Sequence, residues 1–489
     1  MKRIFAIALI LVAAFSAAGR AQDGKAVLDA SAKALGATGL RTLEFSGWGF
    51  DYVFGQAYSG RVPWPRFNVP AYTMTIDFMT PAVRDDKRRA QLENPPRGGG
   101  FQPLFGEMRQ IWVASGKYAW DVVGGMPTAP RLRDDRRDVA EGRLEQILLT
   151  PQGFIKAAMA NNAAARVETI AGGKKTIVSF STPGGRLEGT LNEQGLVERI
   201  ERWFGQTVMG DTTMEAVFSD YRDFGPVKFP TRILQREGGY PLLDVVVNDV
   251  KANPAVTIDV PASVPGMKPP AIGPPQKVAE GVWLVPAYAQ STAIEFRDHI
   301  VVVEAPETEA HAIQTIDLIK KVIPGKPIRY VINTHSHFDH IGGLRTYVAE
   351  GATIVTHSDN IPYFQQLWAA PRTLMPDRLV KSGRAPVFEG VLGSRLMTDG
   401  SRTLIIYHYA GNMHNPGMLM VYLPKDRILI EADSFSPPPA PLTSPPNALP
   451  NLAHWYEAVQ RLRLDVQQII PIHGRVTTLD EARQILEKF

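Results

Sequence analysis

The sequence predicts two domains of different class, a mostly antiparallel β domain followed by a layered α/β domain whose sheets are covered by helices. Three observations lead there. Between residues 40 and 260, short runs alternate apolar and polar residues and are divided by turn residues. From residue 277 onward, strand-like runs alternate with runs of helical periodicity. All ten histidines lie at position 299 or later, so imidazole chemistry belongs to the second half. A chain of 489 residues is also long for one ordinary core.

The chain opens "MKRIFAIALILVAAFSAAGRAQDG". A basic start, an apolar run and small residues before Gln22 predict a secretory signal over residues 1–21, with cleavage after Ala18 or Ala21. Export to a periplasm or to the outside of the cell is expected, with no transmembrane anchor left after the signal is removed. The formal charge of +4 falls to +1 without Lys2, Arg3 and Arg20, so no polyanionic partner such as nucleic acid is expected. With no cysteine anywhere, disulfides, thiolate metal ligands and a cysteine nucleophile are excluded.

The β-rich domain is expected over residues 22–262. "RLEGTLN" (186–192), "GLVERIERWF" (195–204), "TMEAVFSDYRDF" (213–224), "KFPTRILQRE" (228–237) and "LLDVVVNDVKAN" (242–253) read as a meander of strands, because alternation places one face inward. "AVLDASAKALGA" (26–37) and "RLEQILLTPQGFIKAAMAN" (143–161) have helical spacing. The charged run "RDDKRRAQLENPPRGGG" (84–100) reads as a solvated hairpin tip or loop. The meander and the phrase "FSDYRDFGPVKFPTRI" (218–233) resemble the curved sheet domains of outer-membrane lipoprotein carrier proteins. That resemblance implies a concave sheet able to take an apolar ligand or a partner segment. A packing or self-association module is the other expectation.

A proline- and glycine-rich linker over residues 263–276 leads to the α/β domain, residues 277–489. Its strand-like runs include "HIVVVEAP", "IRYVINTH", "ATIVTH", "TLIIYHYAG", "RILIEAD" and "VQQIIPIHG", and its helical runs include "ETEAHAIQTIDLIKKVI" and "LAHWYEAVQRLRL". The stretch "YVINTHSHFDHIGG" places His335, His337, Asp339 and His340 directly after an apolar run. In extended backbone His335 and His337 point the same way, so both can reach one cation. A two-metal site needs further ligands at strand ends, and His414, Asp433 and His473 stand there. A carboxylate between two cations offsets their repulsion, and neutral imidazoles suit zinc and similar metals. His299, His311 and His454 are expected on the surface or in packing; His357 and His408 are candidates either to orient ligands or to pack.

His-x-His-x-Asp-His followed by a histidine, an aspartate and a histidine at strand ends resembles the metallo-β-lactamase fold superfamily over roughly residues 275 to 489. The resemblance implies an αββα sandwich holding two Zn2+ ions, with iron or manganese as alternatives. It implies that His335, His337 and His414 hold the first metal, that Asp339, His340 and His473 hold the second, and that Asp433 bridges them. With a bridging aspartate and no cysteine, the pattern is closer to glyoxalase II and the lactonases than to the antibiotic-destroying enzymes. It departs from the family around the third histidine, where Met413-His414-Asn415 replaces the usual Gly-His-Thr or Gly-His-Ser.

The expected reaction is metal-assisted hydrolysis, with a shared hydroxide attacking an ester, lactone, thioester or lactam carbonyl of a small-molecule substrate. Asp339 is the candidate to orient that hydroxide. Three rivals stand beside this reading: an iron-dependent persulfide-type dioxygenase of the same fold, a nuclease of the superfamily, and a carrier or scaffold whose metal site is structural. Residues 361–390, with Tyr363, Phe364, Trp368 and Met375, and the proline-rich loop 436–455 are candidate pocket walls or ordinary packing.

Overall fold

A computed structural model describes residues 24–130, 139–170, 173–268, 271–305, 307–437 and 448–489. The expected signal segment lies outside the described residues. No helix among the described residues is long and apolar enough to cross a membrane.

Among the described residues, thirteen antiparallel strands form the N-terminal sheet. Thr42–Tyr52 pairs with Tyr240–Ala252 at its centre. From that pair one arm runs out through successive hairpins to Met126–Thr128 and the other to Ala164–Ile170. Alternation decides which face is buried: in Val227–Glu237 every second side chain, from Val227 to Glu237, points into the protein. The helices Gly24–Ala34, Val139–Leu148 and Pro151–Ala160 complete this core, with Leu28, Ile147, Phe154 and Ile155 packed on Phe45, Val178, Leu187 and Phe229. The helical run expected over 143–161 is two helices. Pro151 starts the second, and Thr150 Oγ1 accepts from Gly153 N at its N-terminus.

Of the charged run 84–100, residues 91–100 form a loop as expected, but residues 84–90 do not. Residues Ala82–Ala90 are an interior strand, paired on both sides by Arg66–Asp77 and Glu107–Ser115. Lys87 and Arg89 are 4% exposed. They alternate with outward-facing Arg84, Asp86 and Arg88, so the strand carries charge on both faces. Lys87 and Arg89 line a cavity of about 310 Å3 shared with Asp51, Asp85, Trp112 and Arg202. Its walls mix buried charges with aromatic and aliphatic side chains.

The second domain has four layers. A seven-stranded sheet, from Gln276–Ala279 to Phe388–Val391, faces a five-stranded sheet, from Ser394–Thr398 to Gln468–Pro471. Val301, Val303, Ile332 and Val355 of the first meet Leu404, Val421, Leu429 and Ile469 of the second. Glu309–Val322 and Leu344–Ala349 cover the outer face of the first sheet through Ile316, Ile319, Leu344 and Tyr347. Leu449–Arg461 and Leu479–Lys488 cover the other through Trp455, Ala458 and Ala482. Ile300–Val303 is buried at all four positions, as a parallel strand covered on both faces must be.

The two domains share one apolar seam. Ala57, Trp64, Val208 and Met209 of the first pack in the same cluster as Ile341, Leu344 and Phe364 of the second. Phe54 lies 5.1 Å from Phe338 and 4.9 Å from Trp64, ring centre to ring centre. Arg372 donates to the carbonyls of Thr207 and Val208, each at 2.7 Å. Phe364 is fully buried, Trp368 packs on Phe388, and Tyr363 and Met375 lie against Gly60 and Gly205 of the first domain. These side chains of the 361–390 segment serve packing and domain docking. Of the proline-rich loop, 438–447 lie outside the described residues, and Trp455 is core.

Candidate metal centre

The strand Ile328–Ile332 ends in the middle of the seven-stranded sheet, and the backbone that follows delivers His335, His337, Asp339 and His340 to one spot. His337 stays extended and caps a one-turn helix, Phe338–Ile341, which turns Asp339 and His340 back toward it. His414 comes from the turn between Thr403–His408 and Leu419–Leu423. Asp433 and His473 each lie two residues beyond a strand of the other sheet, Ile428–Glu431 and Gln468–Pro471. All seven residues singled out by the sequence pattern converge where the two sheets end.

Their inward atoms form two sets joined by one carboxylate. His335 Nε2 is 3.0 Å from His337 Nδ1, and His414 Nε2 is 2.9 Å from Asp433 Oδ2. On the other side, His340 Nε2 is 3.2 Å from His473 Nε2, and Asp433 Oδ1 lies 3.2 Å and 3.3 Å from those two nitrogens. Asp339 Oδ2 faces the same pair at 3.8 and 3.9 Å. Asp433 has a left-handed backbone, φ 60°, uncommon for any residue but glycine and a familiar place for strain at working sites. Glu431 secures that turn by accepting from Ser434 N and Phe435 N.

The opposite edge of four of the five rings is tied down. His337 Nε2 donates to the carbonyl of Ala57 at 2.9 Å, and His473 Nδ1 to that of Tyr288 at 2.8 Å. His340 Nδ1 donates to Glu304 Oε2 at 2.9 Å. His335 Nδ1 donates at 3.0 Å to Thr334 Oγ1, whose own proton goes to Glu304. A neutral imidazole has one N–H, and here it is spent outward. The inner nitrogens of His335 and His337 then present lone pairs to each other at close range, an arrangement that a cation stabilises. His414 Nε2 and Asp433 Oδ1 are buried atoms without a hydrogen bond, which again matches a donor set waiting for a metal.

Electrostatics agree. Burial, then neighbouring His340 and His337, holds His335 well below the usual histidine range. Burial, with His414 adding to it, holds His337 down at about 3. Burial would also lower His340, but Asp433, Asp339 and Glu304 outweigh it and raise that residue well above its ordinary value. The pocket therefore favours positive charge at His340 Nε2, as a proton or as a cation in its place. Burial opposes the charge on Asp433, yet His340, His473 and His414 keep its carboxyl well below the usual range.

The turn of His414 is held by the asparagines on either side of Met413 and His414. Asn412 Oδ1 accepts from His414 N at 2.7 Å, while Asn415 donates to Ser336 Oγ and accepts from Gly417 N. Asn415 thus fastens the third histidine to the loop of the first two. His357 and His408 pack against each other with tilted rings, centres 4.2 Å apart, and His408 reaches the carbonyls of Leu392 and Pro416. His299 is buried against Phe296 and Tyr330.

Sequence reasoning missed Glu304, which orients two of the histidines. Its signal was present, a carboxylate closing the apolar run "IVVV". It also missed Gln56 and Ala57. Gln56 Nε2 donates to Asp339 Oδ1 at 2.8 Å from the other domain. Nothing local in the sequence marks either residue.

Four layers with a His/Asp cluster at the sheet ends define a metal-binding αββα sandwich. Residues 286–472 match the family model described as the metallo-beta-lactamase superfamily, and the C-terminal domain is a domain of that superfamily. The matched residues lie wholly within the second domain. The chain is 25% identical over 223 residues to the 2,4-dinitroanisole O-demethylase subunit alpha of Nocardioides sp. (strain JS1661), covering 44% of this chain and 62% of that protein. It is 38% identical over 76 residues to a linear primary-alkylsulfatase of Pseudomonas sp, covering 15% and 11%. The chain thus spans less than two thirds of either curated relative. Among solved structures, a metallo-beta-lactamase from Pontibacter korlensis is similar at 19% identity over 44% of this chain and 96% of that one, TM-score 0.35. One from Hirschia baltica is similar at 21% over 44% and 95%, TM-score 0.32.

Proposed function

We propose that the chain is an exported, zinc-dependent hydrolase with a dinuclear centre. His335, His337 and His414 would hold one cation, Asp339, His340 and His473 the other, and Asp433 would bridge them. The single observation that carries this reading is the division of Asp433: Oδ2 faces His414 and Oδ1 faces His340 and His473. Two divalent cations in such a site would supply Lewis acidity and lower the pKa of water toward neutrality. The protein's own part is positional. Glu304, Ala57 and Tyr288 hold the rings in one tautomer, so the donor atoms need no reorganisation when they act. Asp339, half-shielded beside His473, is placed to accept a proton from attacking water and so orient it.

The substrate we propose is a small molecule with an ester, lactone, thioester or lactam carbonyl. The names of the two curated relatives add a sulfate ester and an aryl methyl ether as groups to test. The leader pattern of residues 1–21 supports export, which the mass of the mature protein from a periplasmic fraction checks. The experiment that decides the function is a hydrolysis screen across those classes with metals counted by elemental analysis. Wild-type protein should hold two zinc ions per chain and cleave at least one class. Asp433→Ala should hold at most one and lose about a thousandfold or more in rate. A single iron per chain with oxygen uptake and no hydrolysis would overturn the reading in favour of the dioxygenase.

A further inference from the structure

The metal ligands all come from the second domain, yet the first domain touches two of them. We propose that the N-terminal domain is a working part of the metal centre, with Gln56 as a positioning residue that holds Asp339 in register for the second cation. The proposal rests on the two-cation reading above and deepens it.

Asp339 rides on a helix of a single turn, Phe338–Ile341. One of its oxygens, Oδ2, faces His340 and His473. The other, Oδ1, takes the amide N–H of Gln56 at 2.8 Å. An ionised carboxylate has no proton to give, so the amide must present its nitrogen, and the contact is directional. It stops the carboxylate from rotating and leaves Oδ2 for the cation. The adjoining Ala57 carbonyl takes the Nε2 proton of His337 and so leaves Nδ1 facing His335. One dipeptide of the first domain therefore orients one ligand of each set.

The dipeptide is itself held firmly. Gly55 has φ 71° and lies on the Phe338 side chain, where a β-carbon would overlap the ring, and its carbonyl accepts from Phe338 N at 3.1 Å. Phe54 packs edge-on to the same ring. The glycine run that follows Arg97 closes over the top. Gly99 N donates to the Gln56 carbonyl at 3.0 Å, and Gly98 N donates at 2.9 Å to the carbonyl of Met413, next to His414. A β-carbon on Gly99 would strike the Gln56 amide and crowd His337. As a result His335, His337 and His340 are fully buried, while solvent reaches the centre from the side of Asp339 and His473, whose side chains are each 14% exposed.

Metal titration of the full-length protein tests this. Gln56→Leu keeps the volume and removes the donor. Apo protein is titrated with zinc by calorimetry and with cobalt(II) by absorbance, and its melting temperature is recorded. The expected result is an unchanged first binding step, a second step weakened about 10- to 100-fold, and an altered cobalt(II) spectrum for the second equivalent alone. The apo melting temperature should stay near that of the wild type. If Gln56→Leu does not fold, Gln56→Met gives the same comparison with a more flexible chain. Two wild-type binding steps in a folded variant, with the wild-type spectrum, would overturn the role of Gln56 and leave the metal centre standing. Failure of the wild type itself to bind two cations would instead overturn the two-cation reading.

Discussion

Two of the clusters of ionisable side chains buried among the described residues are built on opposite plans. In the N-terminal cavity, opposite charges meet. Asp51 bonds Lys87 at 2.9 Å and pairs with Arg89, while Arg202 pairs with Glu145 at 2.7 Å. At the sheet ends of the second domain, five histidines and two aspartates aim their inner atoms into two adjoining sets. Burial and perturbed titration are found in both. What separates them is composition: the first cluster neutralises itself, and the second has a surplus of donors that only an added cation can answer. Hence a mutation in the first should cost stability and spare the metal, and one in the second should do the reverse.

The largest expected effect is in the first cluster. Asp51→Asn leaves two buried cations without their shared anion and should destabilise the fold by about 3 to 5 kcal/mol, as loss of one partner of a buried ion pair does. Chemical denaturation measures it. Zinc stoichiometry of the remaining folded protein should be unchanged. The pH dependence follows with its sign. Burial pushes the Asp51 carboxyl up, but Lys87 and Arg89 outweigh it and the net shift is downward. Its stabilisation is therefore complete above the ordinary carboxylate value of about 4 and is lost as pH falls through the lowered folded value. Wild-type stability should drop in that acid range, and the variant should lack that component. An equal loss of stability and of zinc would erase the distinction between the clusters.

The second test enters from the other side. Glu304 accepts from His340 Nδ1, from Thr334 Oγ1 and from Asn333 Nδ2, and has φ 73° at the end of its strand. Glu304→Gln keeps the size and turns one acceptor into a donor. Zinc affinity should fall about 10- to 100-fold, the usual cost of disturbing the groups behind metal ligands. The melting temperature of the metal-free protein should move far less than in Asp51→Asn. Competition with a chromogenic chelator reads the affinity.

What the sequence made legible and what it hid divide along the same line. The His-x-His-x-Asp-His spacing is local, and His414, Asp433 and His473 follow strand-like runs, which is why the seven could be picked out and why they lie together at the sheet ends. The meander from 186 to 253 was legible because alternation there is apolar against polar. Alternation was hidden at 84–90, where Asp85, Lys87 and Arg89 occupy the inward positions and Arg84, Asp86 and Arg88 the outward ones. Charge on both faces hides the period of two. Gln56 was out of reach for a different reason: it lies 283 positions from Asp339, and no local pattern records which loop of one domain will rest on the other.

That seam between the domains gives the smallest and most discriminating expectation. Asp211, at the start of the strand Gly210–Phe224, accepts from Thr373 N, Thr373 Oγ1 and Leu374 N, all on the second domain. The bonds are exposed, so water competes for them, and each contributes little in net terms. Asp211→Ala should cost about 1 kcal/mol, well below the effect of Asp51→Asn, because no buried charge is stranded. Its value lies in where the cost falls. If the first domain matters to the metal only through the Gln56–Ala57 turn, loosening the seam at Asp211 should leave both zinc affinities as they were. Hydrogen exchange should then show faster opening confined to residues 206–211 and 371–374. A weakened second zinc in Asp211→Ala would instead mean that the whole docking surface, rather than one turn of it, holds the metal ligands in place.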